Sequence, residues 1–330
     1  MIRRLARLVP AAVLAPMLGC AATTPLPERL DGGRSYDVSM AAGIDGYVRS
    51  YRLHVPEGYR SEKPTPLVVV LHGAFSTAAE MERHTGFSDL ADRQGFVVAY
   101  PEGIGILGFL QHWNAGHCCG KAAADGIDDV GFLARVIDDI KRTVNIDATR
   151  VYMTGFSNGA MLTHRFAAER PATLAAAAAL AGAVGSRGDA SAPLARLAPP
   201  RASVPVIMLH GEADRTIPYG DATPGNGPRG REYSSASVSS RFWWSSNGCA
   251  SHRRERSTVY PGVTIDSWSD CDRSAEVQLL TLHAWGHRWP GPFFTKRVHR
   301  DDALYGFDAA EIIWAFFERH TNVRLIARSS

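Results

Sequence analysis

The feature that most constrains the fold is a series of short apolar runs separated by stretches with helical spacing. Each run is short enough to form a buried strand, and most are rich in β-branched residues. The runs occupy residues 66–71, 95–100, 150–154, 174–180, 204–209 and 277–282. Helical spacing is clearest from Asp125, which is expected to cap the first turn, to Val144, and it recurs from Ala309 to His320. Strands that alternate with helices predict a mostly parallel sheet with helices on both faces.

A different pattern comes before the first of these runs. Polar and apolar side chains alternate from Ser50 to Val55, and the glycines between Gly43 and Gly46 provide a turn. Together they indicate an antiparallel hairpin between Arg34 and Pro56, which would cover one edge of the sheet.

The chain beyond the hairpin contains no stretch that resembles a linker between two cores. Residues 34–322 are therefore predicted to form one α/β domain, and residues 323–330 a C-terminal tail. Residues 182–203 and 219–232 are rich in small and turn-forming residues, so we expect them to be irregular surface excursions.

The overall charge does not favour a polyanionic partner. A net charge of +3 arises from 36 basic and 33 acidic residues, with no long run of one sign. Neither nucleic acid nor an anionic membrane surface is implied by such a balance. The basic cluster from Arg253 to Arg256 is interpreted as a solvated surface.

The N-terminus has the pattern of an export signal. Arg3, Arg4 and Arg7 precede an apolar stretch over residues 8–18, which is too short to span a bilayer, so residues 1–19 are interpreted as a signal peptide. The boundary from Met17 to Cys20 resembles a bacterial lipobox, in which cleavage leaves a lipidated cysteine. Residues 20–33 would then be a tether, and the alternative is a plain secreted protein.

Four cysteines remain after Cys20 in a chain expected to reach an oxidising compartment. They are Cys118, Cys119, Cys249 and Cys271. Two disulfides are possible among these candidates, and three pairings stay open, one of which joins Cys249 to Cys271 and leaves the adjacent pair bonded to each other or free. No Cys-x-x-Cys with a matching histidine indicates a metal site.

A serine between two glycines marks the most informative loop. Gly155-Phe156-Ser157-Asn158-Gly159 follows an apolar run and opens into a helical stretch, which is the pattern of a nucleophile elbow. A serine hydroxyl is a weak nucleophile at neutral pH, so it needs a histidine base and a carboxylate that orients the base.

The partners of Ser157 are expected in two later loops. Asp214 and His287 each follow a predicted strand, and the order serine, acid, histidine is that of α/β-hydrolases. Competing residues are less favoured: His72 and His210 belong to His-Gly turns at strand ends, His283 is expected to point into the sheet, and Glu212 stands closer to its strand than Asp214 does. Ser157, Asp214 and His287 are the predicted triad.

Attack on an ester carbonyl leaves negative charge on oxygen, which backbone N–H groups stabilise by about 3 kcal/mol each. Two donors are predicted. The N–H of Asn158 follows the nucleophile at a helix start, and that of Ala74 follows His72 and Gly73 after the first parallel strand.

These residues resemble the secreted feruloyl esterase and polyhydroxybutyrate depolymerase-like group of α/β-hydrolases, which includes bacterial lipoproteins. The resemblance covers nearly the whole chain after the signal peptide. The motifs that carry it are Leu71-His72-Gly73, Trp113-Asn114-Ala115-Gly116-His117-Cys118-Cys119-Gly120, Asp128-Asp129-Val130-Gly131-Phe132, Gly155-Phe156-Ser157-Asn158-Gly159-Ala160-Met161, His210-Gly211-Glu212-Ala213-Asp214 and Gly286-His287-Arg288-Trp289-Pro290-Gly291. It implies the α/β-hydrolase fold, the same triad and no cofactor.

The chain departs from the family beside the base, where Ala284, Trp285 and Arg288 replace the usual glycines and threonine. We expect Trp113, Trp285 and Trp289 to be walls for an aromatic or polymeric acyl group. The resulting hypothesis is a serine ester hydrolase that forms an acyl-enzyme on feruloyl or related esters of plant polysaccharides. Polyester chains such as polyhydroxybutyrate are the alternative substrate, and a non-catalytic, lipid-anchored binding protein is the alternative function.

Overall fold

A ten-stranded mixed sheet forms the centre of the computed structural model, which describes residues 23–41, 46–106, 109–188, 191–220, 230–322 and 324–325. The predicted signal peptide, Cys20, the turn residues 43–45 and the end of the predicted C-terminal tail lie outside this part of the chain. No helix within it is both long and apolar enough to cross a bilayer.

The strands, numbered in chain order, are β1 (Arg34–Met40), β2 (Arg49–Val55), β3 (Thr65–Leu71), β4 (Val97–Pro101), β5 (Ile104–Ile106), β6 (Phe109–His112), β7 (Ile146–Phe156), β8 (Ala176–Leu180), β9 (Gly185–Arg187), β10 (Ala195–Arg196), β11 (Val206–Gly211), β12 (Glu232–Tyr233), β13 (Ser251–Arg256), β14 (Val263–Ser269) and β15 (Val277–Leu282). The helices are α1 (Ala78–Thr85), α2 (Phe87–Gln94), α3 (Gly120–Ala124), α4 (Asp129–Thr143), α5 (Asn158–Glu169), α6 (Ala236–Ser246), α7 (Pro292–Thr295) and α8 (Ala309–Phe317).

The sheet order is β1-β2-β4-β3-β7-β8-β11-β15-β14-β13. The central strands β4, β3, β7, β8, β11 and β15 are parallel to one another, and antiparallel hairpins close both edges. The carboxyl ends of β3, β7, β11 and β15 therefore meet at one edge of the sheet, where open α/β sheets bind their ligands.

Two hydrophobic cores lie on the two faces of the sheet. Leu67, Val69 and Leu71 of β3 face the core that is completed by α4, α5 and α6. Val68 and Val70, between them in sequence, face the core made with α1, α2 and α8. All five side chains are fully buried, as expected for a strand covered on both faces. The predicted mostly parallel sheet with helices on both faces and an N-terminal antiparallel hairpin at one edge is confirmed.

Some local expectations were wrong. The helix predicted from Asp125 begins at Asp129, because Asp128 caps it by accepting the N–H of Gly131 at 2.8 Å, whereas Asp125 ends α3. The excursions predicted over 182–203 and 219–232 contribute β9, β10 and β12 to a small three-stranded sheet. Residues 189–190 and 221–229 lie outside the described part.

The segment expected to be a tether contacts the domain. Thr24 pairs with Ser39 of β1 through two backbone hydrogen bonds, and Leu26 and Leu30 pack against the core on the α4 face. At the other end of the domain, Arg324 donates to the carbonyls of Pro171 and Ser203.

The sulfur atoms of Cys249 and Cys271 are bonded to each other, and so are those of the adjacent Cys118 and Cys119. This is one of the three pairings left open by the sequence. The bond between Cys249 and Cys271 joins the end of α6 to the segment between β14 and β15. Closing a loop of this length stabilises a fold by about 3 kcal/mol in the chain-entropy account.

His164 of α5 is a buried group that makes stability depend on pH. Its Nδ1 accepts the indole N–H of Trp243 at 2.9 Å, and burial lowers its pKa to about 3. The unfolded chain binds a proton at this histidine below about pH 6.5, while the folded chain does not, so acidification through that window destabilises the fold by about 1.4 kcal/mol per pH unit.

We expect His164→Gln to remove this contribution, because glutamine can still accept from Trp243 but does not titrate. Urea unfolding between pH 7 and pH 4 should show a shallower loss of stability in the variant than in the unaltered chain. His299→Gln is the control, since the side chain of His299 is 83% exposed. Equal pH slopes for the two variants would contradict this account.

Candidate active site

The turn between β7 and α5 places Ser157 at the carboxyl edge of the sheet. Ser157 has φ 54° and ψ −118°, a conformation that costs of order 1–3 kcal/mol for a residue with a side chain. Its backbone N–H is bonded to the carbonyl of Leu180 in β8 at 2.9 Å. The serine is therefore held on the sheet by its backbone while its hydroxyl remains free to bond elsewhere.

The two glycines of this turn are required by contact with backbone atoms. A Cβ on Gly155 would lie 2.5 Å from the carbonyl oxygen of Gly159, so strand and helix could not approach each other. A Cβ on Gly159 would lie 2.4 Å from the carbonyl oxygen of His72 in the loop after β3. These contacts explain the Gly-x-Ser-x-Gly pattern physically, since neighbouring backbone cannot move aside as a flexible side chain would.

Asp214 lies in the loop after β11 and is fully buried at its carboxylate. Its Oδ1 accepts the backbone N–H groups of Thr216 and Ile217 at 2.8 and 2.9 Å, and its Oδ2 accepts from His287. Burial on its own would raise the Asp214 pKa, but the hydrogen bond and charge of His287 outweigh it and lower the pKa. The carboxylate is thus kept ionised and fixed in orientation.

His287 lies in the loop after β15 and connects the two other residues. Its Nδ1 is 2.7 Å from Asp214 Oδ2, and its Nε2 is 2.9 Å from Ser157 Oγ. An Nδ1–H that donates to the aspartate leaves Nε2 free to accept the serine proton. The imidazole lies 4.8 Å from the ring of Phe156, centroid to centroid.

The loops that carry Asp214 and His287 are bonded to each other. The N–H of Ala213 donates to the carbonyl of Trp285 at 3.0 Å, and a Cβ on Gly211 would lie 2.3 Å from that same carbonyl oxygen. Glycine at 211 therefore allows the two loops to touch, and this contact sets the distance from acid to base.

The competing residues have other partners. His72 is fully buried, and its ring nitrogens are bonded to Gly73 and Gly103. His210 donates from Nε2 to the carbonyl of Ile217, and burial lowers its pKa. The expectation that His283 points into the sheet was wrong, because its side chain is 35% exposed and bonds to Glu212 at 2.9 Å.

The predicted oxyanion donors lie on two segments next to Ser157. Asn158 begins α5, so its N–H belongs to the first turn, where no intrahelical acceptor exists. Ala74 lies in the loop after β3, and a Cβ on its neighbour Gly73 would lie 3.4 Å from the Cβ of Ser157. Both amides are thus carried by segments that contact the nucleophile.

The three tryptophans expected to form substrate walls are buried. Trp113 has no exposed surface, and Trp285 and Trp289 are each only 3% exposed. Trp285 donates from its indole to the carbonyl of Arg288, whose guanidinium lies 4.5 Å from the ring. The prediction of walls was therefore wrong, because the burial of these rings leaves them almost no surface that a substrate could contact.

An exposed apolar surface that the sequence did not reveal lies next to the Ala74 loop. Phe75, Ile106 and Leu110 are 64%, 56% and 52% exposed, and we call these three residues the apolar rim. The N–H of Phe75 donates to the carbonyl of Gln111 at 2.8 Å, which joins the loop to the β5–β6 hairpin. Ile106 and Leu110 lie on that hairpin, which no periodic pattern in the sequence indicated.

Among the described residues, no three His, Cys, Asp or Glu side chains cluster so that they could hold a metal ion. The chemistry available at this site is that of a hydrogen-bonded serine, histidine and aspartate with two nearby backbone amides.

Comparison with known proteins agrees with this geometry. The family model described as Esterase PHB depolymerase matches residues 49–219, just over half of the chain. NocK of Nocardia uniformis subsp. tsuyamanensis, a candidate esterase, is 33% identical over 77% of this chain and 74% of its own length. Feruloyl esterase B of Piromyces equi is 26% identical over 70% of this chain, which spans only 41% of that enzyme.

Solved structures share the fold. An acetyl xylan esterase from Aspergillus awamori superposes with a TM-score of 0.55 at 17% identity, over 78% of this chain and 94% of the other. A ferulic acid esterase from Anaeromyces mucronatus gives a TM-score of 0.52 at 13% identity, over 81% and 91%. The match of the family model and the similarity to NocK place the chain in the Esterase PHB depolymerase family, and it is a serine carboxylic ester hydrolase.

Proposed function

We propose that Ser157, His287 and Asp214 hydrolyse a carboxylic ester through an acyl-enzyme. The observation that carries the proposal is the continuous hydrogen-bond chain from Ser157 Oγ to His287 to Asp214, with distances of 2.9 and 2.7 Å. His287 Nε2 takes the proton of Ser157 as Oγ attacks the ester carbonyl, and the ionised Asp214 stabilises the imidazolium that forms.

The negative charge that develops on the carbonyl oxygen is received by the N–H groups of Asn158 and Ala74. His287 then returns its proton to the alkoxide oxygen of the leaving alcohol, and the acyl group remains on Ser157. A water molecule, deprotonated by His287, attacks the acyl-enzyme through a second tetrahedral intermediate. Collapse of that intermediate releases the acid and returns the proton to Ser157 Oγ.

We expect Ser157→Ala to lower the rate of p-nitrophenyl acetate hydrolysis by at least about 10³-fold, because it removes the hydroxyl that forms the acyl-enzyme. The rate is measured from p-nitrophenolate release by the full chain. Ser245→Ala is the control, since Ser245 is exposed on α6. Equal rates in the Ser157 variant and the unaltered chain would refute the mechanism.

We propose feruloyl or related esters of plant polysaccharides as the substrate class. Relatives with significant similarity are named feruloyl esterase and acetylxylan esterase, and a poly(3-hydroxyalkanoate) depolymerase of Paucimonas lemoignei is 36% identical over 39% of this chain. The apolar rim supports an aromatic acyl group, because the exposed ring of Phe75 can pack against another ring beside the Ala74 amide.

Phe75→Ala tests the rim with two esters that differ only in their acyl group. We expect KM for methyl ferulate to rise about threefold to tenfold while KM for methyl acetate stays within twofold, since only ferulate has a ring to lose contact with. Val259→Ala, at a 73% exposed position between β13 and β14, is the control. The polyester alternative is tested by assaying the same variants on polyhydroxybutyrate. Release of hydroxybutyrate together with no release of ferulate from methyl ferulate would favour that alternative.

Export and anchoring through Cys20 are the final part of the proposal. The basic residues before an apolar stretch and the Leu18-Gly19-Cys20 boundary support a lipidated N-terminus. A single residue then decides between an anchored and a freely secreted enzyme.

Cys20→Ala should move the esterase activity from the membrane fraction to the soluble fraction when the full chain is expressed in a bacterial host. Activity in the two fractions after ultracentrifugation measures the effect. Thr23→Ala, at an exposed position three residues further along the same segment, is the control. Unchanged fractionation of the Cys20 variant would show that the chain is not anchored by this residue.

A further inference from the structure

Trp113 connects the two segments that carry the proposed oxyanion donors. We propose that it is a positioning residue that holds the Asn158 and Ala74 amides at the spacing a tetrahedral intermediate requires. The inference rests on the proposed ester hydrolysis and deepens it, because the mechanism above gives the buried indole of Trp113 and the side chain of Asn158 no part.

The first connection runs from Trp113 to α5. The backbone N–H of Trp113 donates to Asn158 Oδ1 at 2.7 Å, and Asn158 Nδ2 donates to the carbonyl of Trp113 at 3.0 Å. Asn158 is 2% exposed, so its side chain is committed to this pair of bonds and does not face solvent. A carboxamide is needed here because it supplies a donor and an acceptor together. These bonds fix the first residue of α5, whose own N–H is a proposed donor.

The second connection runs from Trp113 to the loop after β3. The indole Nε1–H donates to the carbonyl of His72 at 2.9 Å, and the two rings lie 4.8 Å apart. His72 is itself fixed, since its Nε2 accepts the N–H of Gly103 at 3.0 Å and its Nδ1 bonds to the Gly73 carbonyl at 2.8 Å. The peptide that leads to Ala74 is therefore bonded to Trp113 on one side.

Ala74 is held on its other side by the same segment. The N–H of Phe75 donates to the carbonyl of Gln111, two residues before Trp113, at 2.8 Å. Residues 111–113 thus bond to the loop both before and after Ala74. The loop and α5 already touch, because a Cβ on Gly159 would lie 2.4 Å from the His72 carbonyl oxygen. Trp113 lies across this contact, so its bonds to both segments determine how far apart the two amides are.

The consequence for the rate follows from how sharply a hydrogen bond depends on geometry. Loss of a whole oxyanion donor costs about 10²–10³ in kcat, so a donor that is displaced but still present should cost less. We expect a fall in kcat of about tenfold when one connection is removed. A substrate in its ground state makes little use of these amides, so its binding should change little.

The test compares Trp113→Phe with Trp243→Phe in the full chain. Each substitution keeps a buried ring and removes one indole hydrogen bond, since Trp243 is also fully buried and donates to His164 at 2.9 Å. We expect Trp113→Phe to lower kcat for p-nitrophenyl acetate about tenfold with KM within twofold. Inhibition by phenylboronic acid, which forms a tetrahedral anion on the serine, should weaken by a similar factor, while Trp243→Phe leaves all three unchanged.

Asn158→Ala is the second variant, and it decides the question if Trp113→Phe does not fold, as judged by thermal unfolding. It keeps the backbone N–H that is the proposed donor and removes only the carboxamide bonded to Trp113. The same fall in kcat with an unchanged KM is expected.

Two results would overturn the inference. In the first, kcat of both Trp113→Phe and Asn158→Ala stays within twofold of the unaltered chain while Ser157→Ala is inactive. The ester hydrolysis would then stand and the positioning role would be refuted. In the second, Ser157→Ala is fully active, which would refute the proposed mechanism and the inference with it.

Discussion

The structure of the site depends on a contact between backbone atoms, where the turn from β7 to α5 meets the loop after β3. The carbonyl of His72 leaves no room for a side chain at position 159. The backbone of Gly159 in turn leaves no room for one at position 155. Close packing at this point forces Ser157 into a positive φ and turns its hydroxyl away from the strand. The strain at Ser157 is small compared with the burial of the surrounding strands, so the fold can maintain it.

The acid and the base are joined by a second contact of the same kind. Gly211 allows the loop after β11 to lie directly on the carbonyl of Trp285 in the loop after β15. Because the parallel strands are in fixed register, the loops at their carboxyl ends are already close, and these contacts set the remaining distances. The hydrogen-bond chain through Ser157, His287 and Asp214 is thus a product of the sheet and a few glycines.

The sequence predicted those parts that depend on local chemistry and on strand order. Apolar runs predicted the central strands. Ser157, Asp214 and His287 were predicted from their residue types and from their positions just after a strand, and the structure brings these three together. It could not predict which side of a loop faces outward, so Trp113, which is fully buried, was expected to be a substrate wall. Residue type alone does not distinguish an exposed indole from one that hydrogen-bonds inside the protein.

The edge strand β13 was missed for a related reason. Every residue of β13, which includes the cluster from Arg253 to Arg256, is exposed, so the strand has no apolar alternation that would reveal it. Charged side chains on an edge strand hinder pairing with another chain, which gives this composition a structural purpose. The small sheet of β9, β10 and β12 was missed because its strands are only two or three residues long.

The pairing of Thr24 with Ser39 has a consequence for where an anchored form of the enzyme could act. Four residue steps separate Cys20 from Thr24, and a fully extended chain of that length spans at most about 14 Å. With a lipid at Cys20, the β1 edge of the domain would stay close to the bilayer surface. An enzyme with so short a tether would act on feruloylated polysaccharide fragments that diffuse to the membrane surface.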